Sequence, residues 1–307
     1  MSADLYTNQD SNVRKTWFLM GSFLVFIIGI GWFLSYIYQD PAILYIAVIF
    51  SLLMNIFSYW QSDKIVLKIS GAKEVKREEF FDLYNAVENL SITAGLPMPK
   101  VYVIPDEAPN AFATGRNKDH SAVVVTSGLL KILDKNELEG VIAHELSHIG
   151  NRDILLQTIV VTLVGVLTLL SDWMIRGALR GSRKGGDNGG GKFQIVLLIA
   201  GIVLVVLSPL IGKLIQLAIS RKREFLADSS GAMLTRYPEG LASALEKISG
   251  YDGQLKKASN ATAHLYISNP FKNNKEGKVG FMKRAFMTHP PIPERTAALR
   301  GKVNNKA

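Results

Sequence analysis

His144-Glu145-Leu146-Ser147-His148 is the stretch on which the reading turns, because a helix of about 3.6 residues per turn sets residues four apart on one face. Two imidazoles placed this way can clamp one zinc ion. Glu145, between them, lies beside the ion's open position, where a carboxylate can take a proton from water and pass it to a leaving amine. The chemistry this arrangement would serve is peptide-bond hydrolysis. At average composition a chain of this length shows H-E-x-x-H by accident on the order of once in a hundred sequences, so context must decide. The competing reading is a surface helix whose histidines pair with nearby carboxylates.

The context begins with a helix start. Asp134 can act as N-cap, and Glu137 completes a capping box ahead of Leu138, Val141, Ile142 and Leu146. Ala143 and Ser147 are small, as a helix needs where it presses against other elements. Zinc needs a further ligand, and Arg223-Glu224-Phe225-Leu226-Ala227-Asp228 offers two carboxylates at i and i+4 on a second helical segment. Glu224 is assigned as the third zinc ligand and Asp228 as the group that orients one of the histidines, with water or substrate in the fourth position. The alternatives are a surface ion pair of Glu224 with Arg221 or Lys222, and His264 or His289 as the third ligand.

Four apolar stretches dominate the rest: Trp17 to Tyr38, Ala42 to Trp60, Leu155 to Trp173 and Gln194 to Gly212. Each is long enough, at about 1.5 Å per residue, to cross about 30 Å of hydrocarbon. The chain therefore reads as an integral membrane protein with four transmembrane helices. Arg14 and Lys15 precede the first stretch, Lys64, Lys68, Lys73, Lys76 and Arg77 follow the second, and Gln39-Asp40-Pro41 between them carries no basic residue. By the positive-inside rule the N-terminus and the segment after Trp60 face the cytoplasm. The glycine-rich connection between the third and fourth stretches disagrees, since it holds Arg176, Arg180, Arg183, Lys184 and Lys192. That pair is therefore a shallow hairpin, a full hairpin, or a pair packed against the soluble part. His148 and Glu224 flank it, so an even number of crossings must return the chain to the side it left.

The chain has no cysteine, which excludes disulfides, a thiolate metal site and a cysteine protease. Its net charge of +9 suits a soluble part lying against an anionic leaflet. Nucleic acid is not an expected partner, because the basic residues sit in membrane flanks and loops without interleaved stacking aromatics. A transporter would place ionisable groups inside its spans, and these have almost none.

In the soluble pieces, Lys76 to Leu96 reads as an amphipathic helix with Phe80, Phe81, Leu83, Tyr84, Val87 and Leu90 inward and Gly95 near its C-cap. Lys100 to Ile104 reads as a strand. Ala111 to Thr114 and Ser121 to Thr126 read as two more, joined by a turn over Gly115 to His120. Asn110, Ala111, Phe112 and Ala113 are either an exposed edge that holds a substrate peptide in extended form or an ordinary core hairpin. Pro238 to Ile248 reads as a helix, and His289-Pro290-Pro291, followed by Arg295, as a rigid turn before a last helical run, Thr296 to Leu299. His289 is read first as a capping or structural histidine and, alternatively, as a donor to an oxyanion.

Taken together, Asn110-Ala111-Phe112-Ala113-Thr114-Gly115, the 144 to 148 motif followed by Asn151-Arg152-Asp153, Glu224 to Asp228, and His289-Pro290-Pro291 with Arg295 resemble the HtpX-like membrane zinc metalloproteases, bacterial relatives of the CAAX prenyl endopeptidases. The resemblance implies a zincin-like, α+β but mainly α catalytic domain facing the cytoplasm from a bacterial inner membrane. It implies one zinc per chain held by His144, His148 and Glu224, with Glu145 as catalytic base and Asp228, His289 and Arg295 as supporting groups. The substrates it implies are unfolded or misfolded membrane proteins. The organisation expected is a cytoplasmic N-terminus (1–16), a transmembrane hairpin (17–60), a first protease segment (61–153), a second hydrophobic hairpin (154–220) and a second protease segment (221–307). The rival function is a catalytically silent zinc-binding scaffold or chaperone in the membrane.

Overall fold

The computed structural model describes residues 2–181, 221–257, 262–263, 265–268, 270 and 290–301. In chain order the elements are α1 (Ser2–Tyr38), α2 (Ala42–Ser70), β1 (Lys73–Glu74), α3 (Phe81–Ala94), β2 (Lys100–Ile104), β3 (Ala111–Asn117), β4 (His120–Thr126), α4 (Ser127–Ile132), α5 (Lys135–Gly150), α6 (Asp153–Gly181), α7 (Arg221–Thr235), α8 (Pro238–Gly250) and α9 (Ile292–Leu299).

The sheet is small and mixed, in the order β1-β2-β4-β3, with β2 parallel to β4 and the other pairs antiparallel. Side chains alternate across it, as a two-residue period demands. Val101, Val103, Ala111, Ala113, Val123 and Val125 join Leu138, Val141, Ile142 and Leu146 of α5 in one core, which α3 and α8 complete. On the opposite face Ile104, Phe112 and Val124 pack with Val66 of α2, Val161 of α6, and Leu265 and Tyr266. The apolar helices thus reach the back of the sheet, and the motif helix covers its front.

α1 and α2 are both long and apolar enough to cross a membrane. Their outer faces leave Trp32, Phe33, Ile49, Leu53 and Ile56 exposed, as contact with hydrocarbon requires. The third apolar stretch differs. It forms α6, whose first half buries Ile154, Leu156, Ile159, Val160 and Leu163. Ile159, Leu163 and Leu167 pack with Met20, Phe23 and Ile27 of α1. α5 and α6 meet at an 84° bend, and together Lys135–Gly150 and Asp153–Leu169 are long and apolar enough to form one broken span. Arg152, in the left-handed region at φ 57°, makes this corner. The expected four spans become two among the described residues, or three if the bent pair counts as one. The fourth stretch, Gln194 to Gly212, and most of the glycine-rich connection lie outside the described residues.

Several local expectations change. α3 starts at Phe81 and not at Lys76. Phe81 is 59% exposed, because it lies about half a turn around the helix from the buried Leu90. Gly95 caps α3 in the left-handed conformation, as its position suggests. β3 and β4 run further than read, leaving Lys118-Asp119 as the turn. The last helix begins at Ile292.

α7 approaches α5 closely at one glycine. A Cβ on Gly231 would stand 2.9 Å from the His144 nitrogen and 3.1 Å from its Cα. In an exposed helix Gly→Ala gains about 1 kcal/mol, but here backbone meets backbone, and overpacking costs about 1–3 kcal/mol. Gly231→Ala is therefore expected to lower the thermal unfolding midpoint of the detergent-purified protein, whereas a raised midpoint would show that the two helices have slack.

Candidate metal centre

The centre starts from the cap that fixes α5. Asp134 accepts from the Glu137 N–H at 3.0 Å while Glu137 accepts from the Asp134 N–H at 2.9 Å, a reciprocal capping box. Glu137 is also held by Lys247 at 2.7 Å and Ser243 at 2.6 Å from α8. Ten and more residues along the helix, His144, Glu145 and His148 are all buried. α7 brings in Glu224, which is only 1% exposed and so is not a surface ion-pair partner.

The donor atoms converge. His144 Nε2 and His148 Nε2 are 3.2 Å apart. Glu224 Oε1 lies 3.6 Å from the Nε2 of His148, and its Oε2 lies 4.0 Å from that of His144. One donor atom from each of the three residues falls within 4.8 Å of the others. Donors about 3.3 Å apart are what a tetrahedral zinc ion with bonds of about 2.0–2.1 Å requires. His264 and His289, the rival ligands, lie outside the described residues.

Each imidazole is braced from behind. His144 Nδ1 lies 2.9 Å from Asp228 Oδ1, and His148 Nδ1 lies 3.0 Å from Asp153 Oδ2. A carboxylate at Nδ1 keeps the proton there and leaves the Nε2 lone pair facing the site. Two lone pairs and a carboxylate then share a dry space, which a divalent cation neutralises. Nitrogen and oxygen donors without thiolate suit zinc.

Without a cation the same field acts on protons. Burial draws His148 down, but the carboxylates of Asp153, Glu224 and Glu145 lift it to about 9. Burial takes His144 down to about 4 against the pull of Asp228. Burial pushes the Glu145 carboxyl up to about 7, while His148, Arg295 and a backbone hydrogen bond from Ala113 draw it back.

Arg295 is fully buried. Its Nε donates to Asp228 Oδ2 at 2.8 Å, its Nη2 to Oδ1 at 2.6 Å and its Nη1 to the Ile267 carbonyl at 3.2 Å. Burial alone would raise the Asp228 carboxyl, but the Arg295 guanidinium dominates and holds it down at about 2. Arg295 therefore acts on the back of His144 through Asp228.

Asn110, Ala111, Phe112 and Ala113 lie in or beside the edge strand β3 and are buried, as the core-hairpin alternative has it. The reason is a later segment. Ile267 donates its N–H to the Ala111 carbonyl at 2.9 Å, and Asn110 exchanges hydrogen bonds with the backbone of Ser268 at 3.0 and 3.2 Å. His120 is exposed and paired with Asn117. Sequence reasoning quoted Asp153 only as part of a motif and gave it no role. Its signal was a carboxylate five residues after the second histidine, in the first turn of the next helix.

A helix-borne histidine pair facing a glutamate from a second helix, with a further buried carboxyl beside them, is a donor set that fits a metal-dependent peptidase. The model of peptidase family M48 matches residues 77–303, and the chain belongs to that family. It is 45% identical over 300 residues to a "Protease HtpX homolog" of Thermoanaerobacter pseudethanolicus, covering 96% of this chain and 97% of that protein. A protein of the same name from Dictyoglomus turgidum is 45% identical over 297 residues, covering 96% and 94%. The crystal structure of S. mikatae Ste24p overlays 97% of this chain and 67% of its own with a TM-score of 0.49 at 18% identity.

Arg295→Met would leave the buried Asp228 carboxylate with His144 as a hydrogen-bond partner but without its countercharge, and breaking such a pair costs about 3–5 kcal/mol. A sharp fall in the thermal unfolding midpoint is expected, and an unchanged midpoint would show that the pair carries no structural weight.

Proposed function

We propose that this M48 peptidase is a membrane-embedded zinc endopeptidase with one zinc ion per chain, held by His144, His148 and Glu224, and with Glu145 as general base. The observation that carries this is the convergence of three donor atoms within 4.8 Å of one another, with Glu145 in the same dry space and neither donor histidine's outer nitrogen left to chance. When bound, the ion supplies Lewis acidity toward water and toward the scissile carbonyl.

The chain's own residues do the rest. Glu145 takes a proton from the attacking water and delivers it to the departing amine. It is buried on α5 between the two donor histidines, which keeps its carboxylate in the dry space of the site. Asp228 and Asp153 hold the two imidazoles with their Nε2 atoms inward. Arg295 keeps Asp228 ionised and fixed. Asn110 pairs with Thr126 of β4 through its backbone. By the alternation of strand hydrogen bonds, the backbone groups of Ala111 and Ala113 therefore face away from β4. Ala111 is engaged by Ile267, which leaves the Ala113 carbonyl as the main-chain group that receives an extended substrate. Recognition through main chain suits unfolded segments of many sequences, in keeping with quality control of misfolded or damaged membrane proteins.

Segments 61–153 and 221–307 form the catalytic unit in this reading. It faces the cytoplasm of a bacterial inner membrane, as the basic residues flanking the first two apolar stretches favour. His289 is proposed as a supporting donor on the chemistry of its motif.

Glu145→Gln is expected to keep zinc at one per chain while cleavage of an unfolded test protein falls about 10²–10⁴-fold. Glu224→Ala is expected to lose zinc. Turnover near wild type in the first variant, or full zinc in the second after dialysis against chelator, contradicts the assignment. A wild type that binds zinc and cuts no unfolded protein favours the silent scaffold.

A further inference from the structure

We propose that Asn12, near the start of the first apolar helix, is a positioning residue of the metal centre: it locks the carboxylate of Asp153, which in turn locks His148. The inference rests on the zinc-site reading above and adds to it a group from the membrane anchor.

Asn12 is 2% exposed, although it lies on α1, remote in sequence from the peptidase segment. Its Nδ2 donates to Asp153 Oδ1 at 2.6 Å and to the Asn151 carbonyl at 3.1 Å. Its Oδ1 accepts from Arg223 Nη1 at 2.8 Å. The carboxamide is the side chain that fits this place, since it offers donors on one side, where a carboxylate and a carbonyl wait, and an acceptor on the other, where a guanidinium waits. Its orientation follows from the same neighbours, because the reversed amide would set oxygen against oxygen.

Asp153 is fully buried at the first turn of α6. Its two oxygens are divided. Oδ1 receives Asn12 and, at 3.3 Å, Arg223, while Oδ2 receives His148 Nδ1 at 3.0 Å. With Oδ1 held, the plane of the carboxylate is fixed, and so is the direction of the imidazole that it braces. Take Asn12 away, and Oδ1 keeps only the longer Arg223 contact while the Asn151 carbonyl loses a donor. The chain Arg223–Asn12–Asp153–His148 also starts beside Glu224, since Arg223 precedes that residue on α7. One polar residue of the membrane anchor therefore ties together the two helices, α5 and α7, that carry the three metal donors.

A merely mechanical role, docking α1 onto α6, would be shared by the apolar residues of the same interface, such as Met20. The test is zinc affinity by chelator competition on the full-length, detergent-purified chain, with the visible spectrum of the cobalt-substituted protein as a second readout of ligand geometry. Asn12→Ala and the equal-sized Asn12→Asp are compared with Met20→Ala. Both Asn12 variants are expected to bind zinc about tenfold or more weakly, the usual scale for losing a partner behind a ligand, with an altered cobalt spectrum. Asn12→Asp should be no better than Asn12→Ala, because it sets a carboxylate against Asp153, and Met20→Ala should match wild type in both readouts.

Wild-type affinity and spectrum in the Asn12 variants overturn the proposal, as does equal weakening by Met20→Ala. Failure of both Asn12 variants to accumulate as folded protein assigns Asn12 to folding and overturns it too. A wild-type chain that binds no zinc removes the metal-centre reading itself, a result distinct from all of these.

Discussion

Two imidazole nitrogens 3.2 Å apart, with a buried carboxylate closing on both, form an arrangement that costs free energy in any dry interior unless a cation sits among them. The rest of the molecule is organised around that cost. Asp228 and Asp153 hold the outer nitrogens, so the inner ones keep their lone pairs turned into the site. Arg295 and Arg223 neutralise those carboxylates in turn, so each of the two bracing carboxylates has a positive partner one layer further out.

The scaffold explains how these layers are kept in register. The capping box starts α5 at a defined residue, and the 84° corner after Asn151-Arg152 throws α6 back along α1 and α2. Asp153 stands at this corner. It is the first residue of α6, where a carboxylate is favoured by the helix dipole, and it faces the second histidine of α5 across the turn. Gly231 permits α7 to lie against the backbone of α5 at His144, which brings Glu224 within reach. The anchor helices also end in the structure they anchor, since Val66 of α2 and Val161 of α6 pack on the back of the sheet whose front faces α5.

What could be read from the sequence follows from the range of each interaction. The H-E-x-x-H helix, its cap, the carboxylate pair of Glu224 and Asp228, and the Gly95 stop are local patterns, and local patterns were legible. Phe81 was misplaced because an apolar residue at a helix start resembles a core residue until the phase of the helix is known. The third apolar stretch satisfied the length criterion for a span, but whether a hydrophobic helix faces lipid or protein depends on its neighbours. The burial of Asn110 to Ala113 depends on Ile267 and Ser268, and the tie from Asn12 to Asp153 crosses most of the chain. No periodicity or spacing carries such pairings.

The most direct test of the account is X-ray absorption at the zinc edge of the purified full-length chain. The account predicts one zinc per chain in a shell of nitrogen and oxygen at about 2.0–2.1 Å that includes two imidazoles and no sulfur. A shell without imidazole, or a chain that takes up no zinc when it is offered, would contradict it.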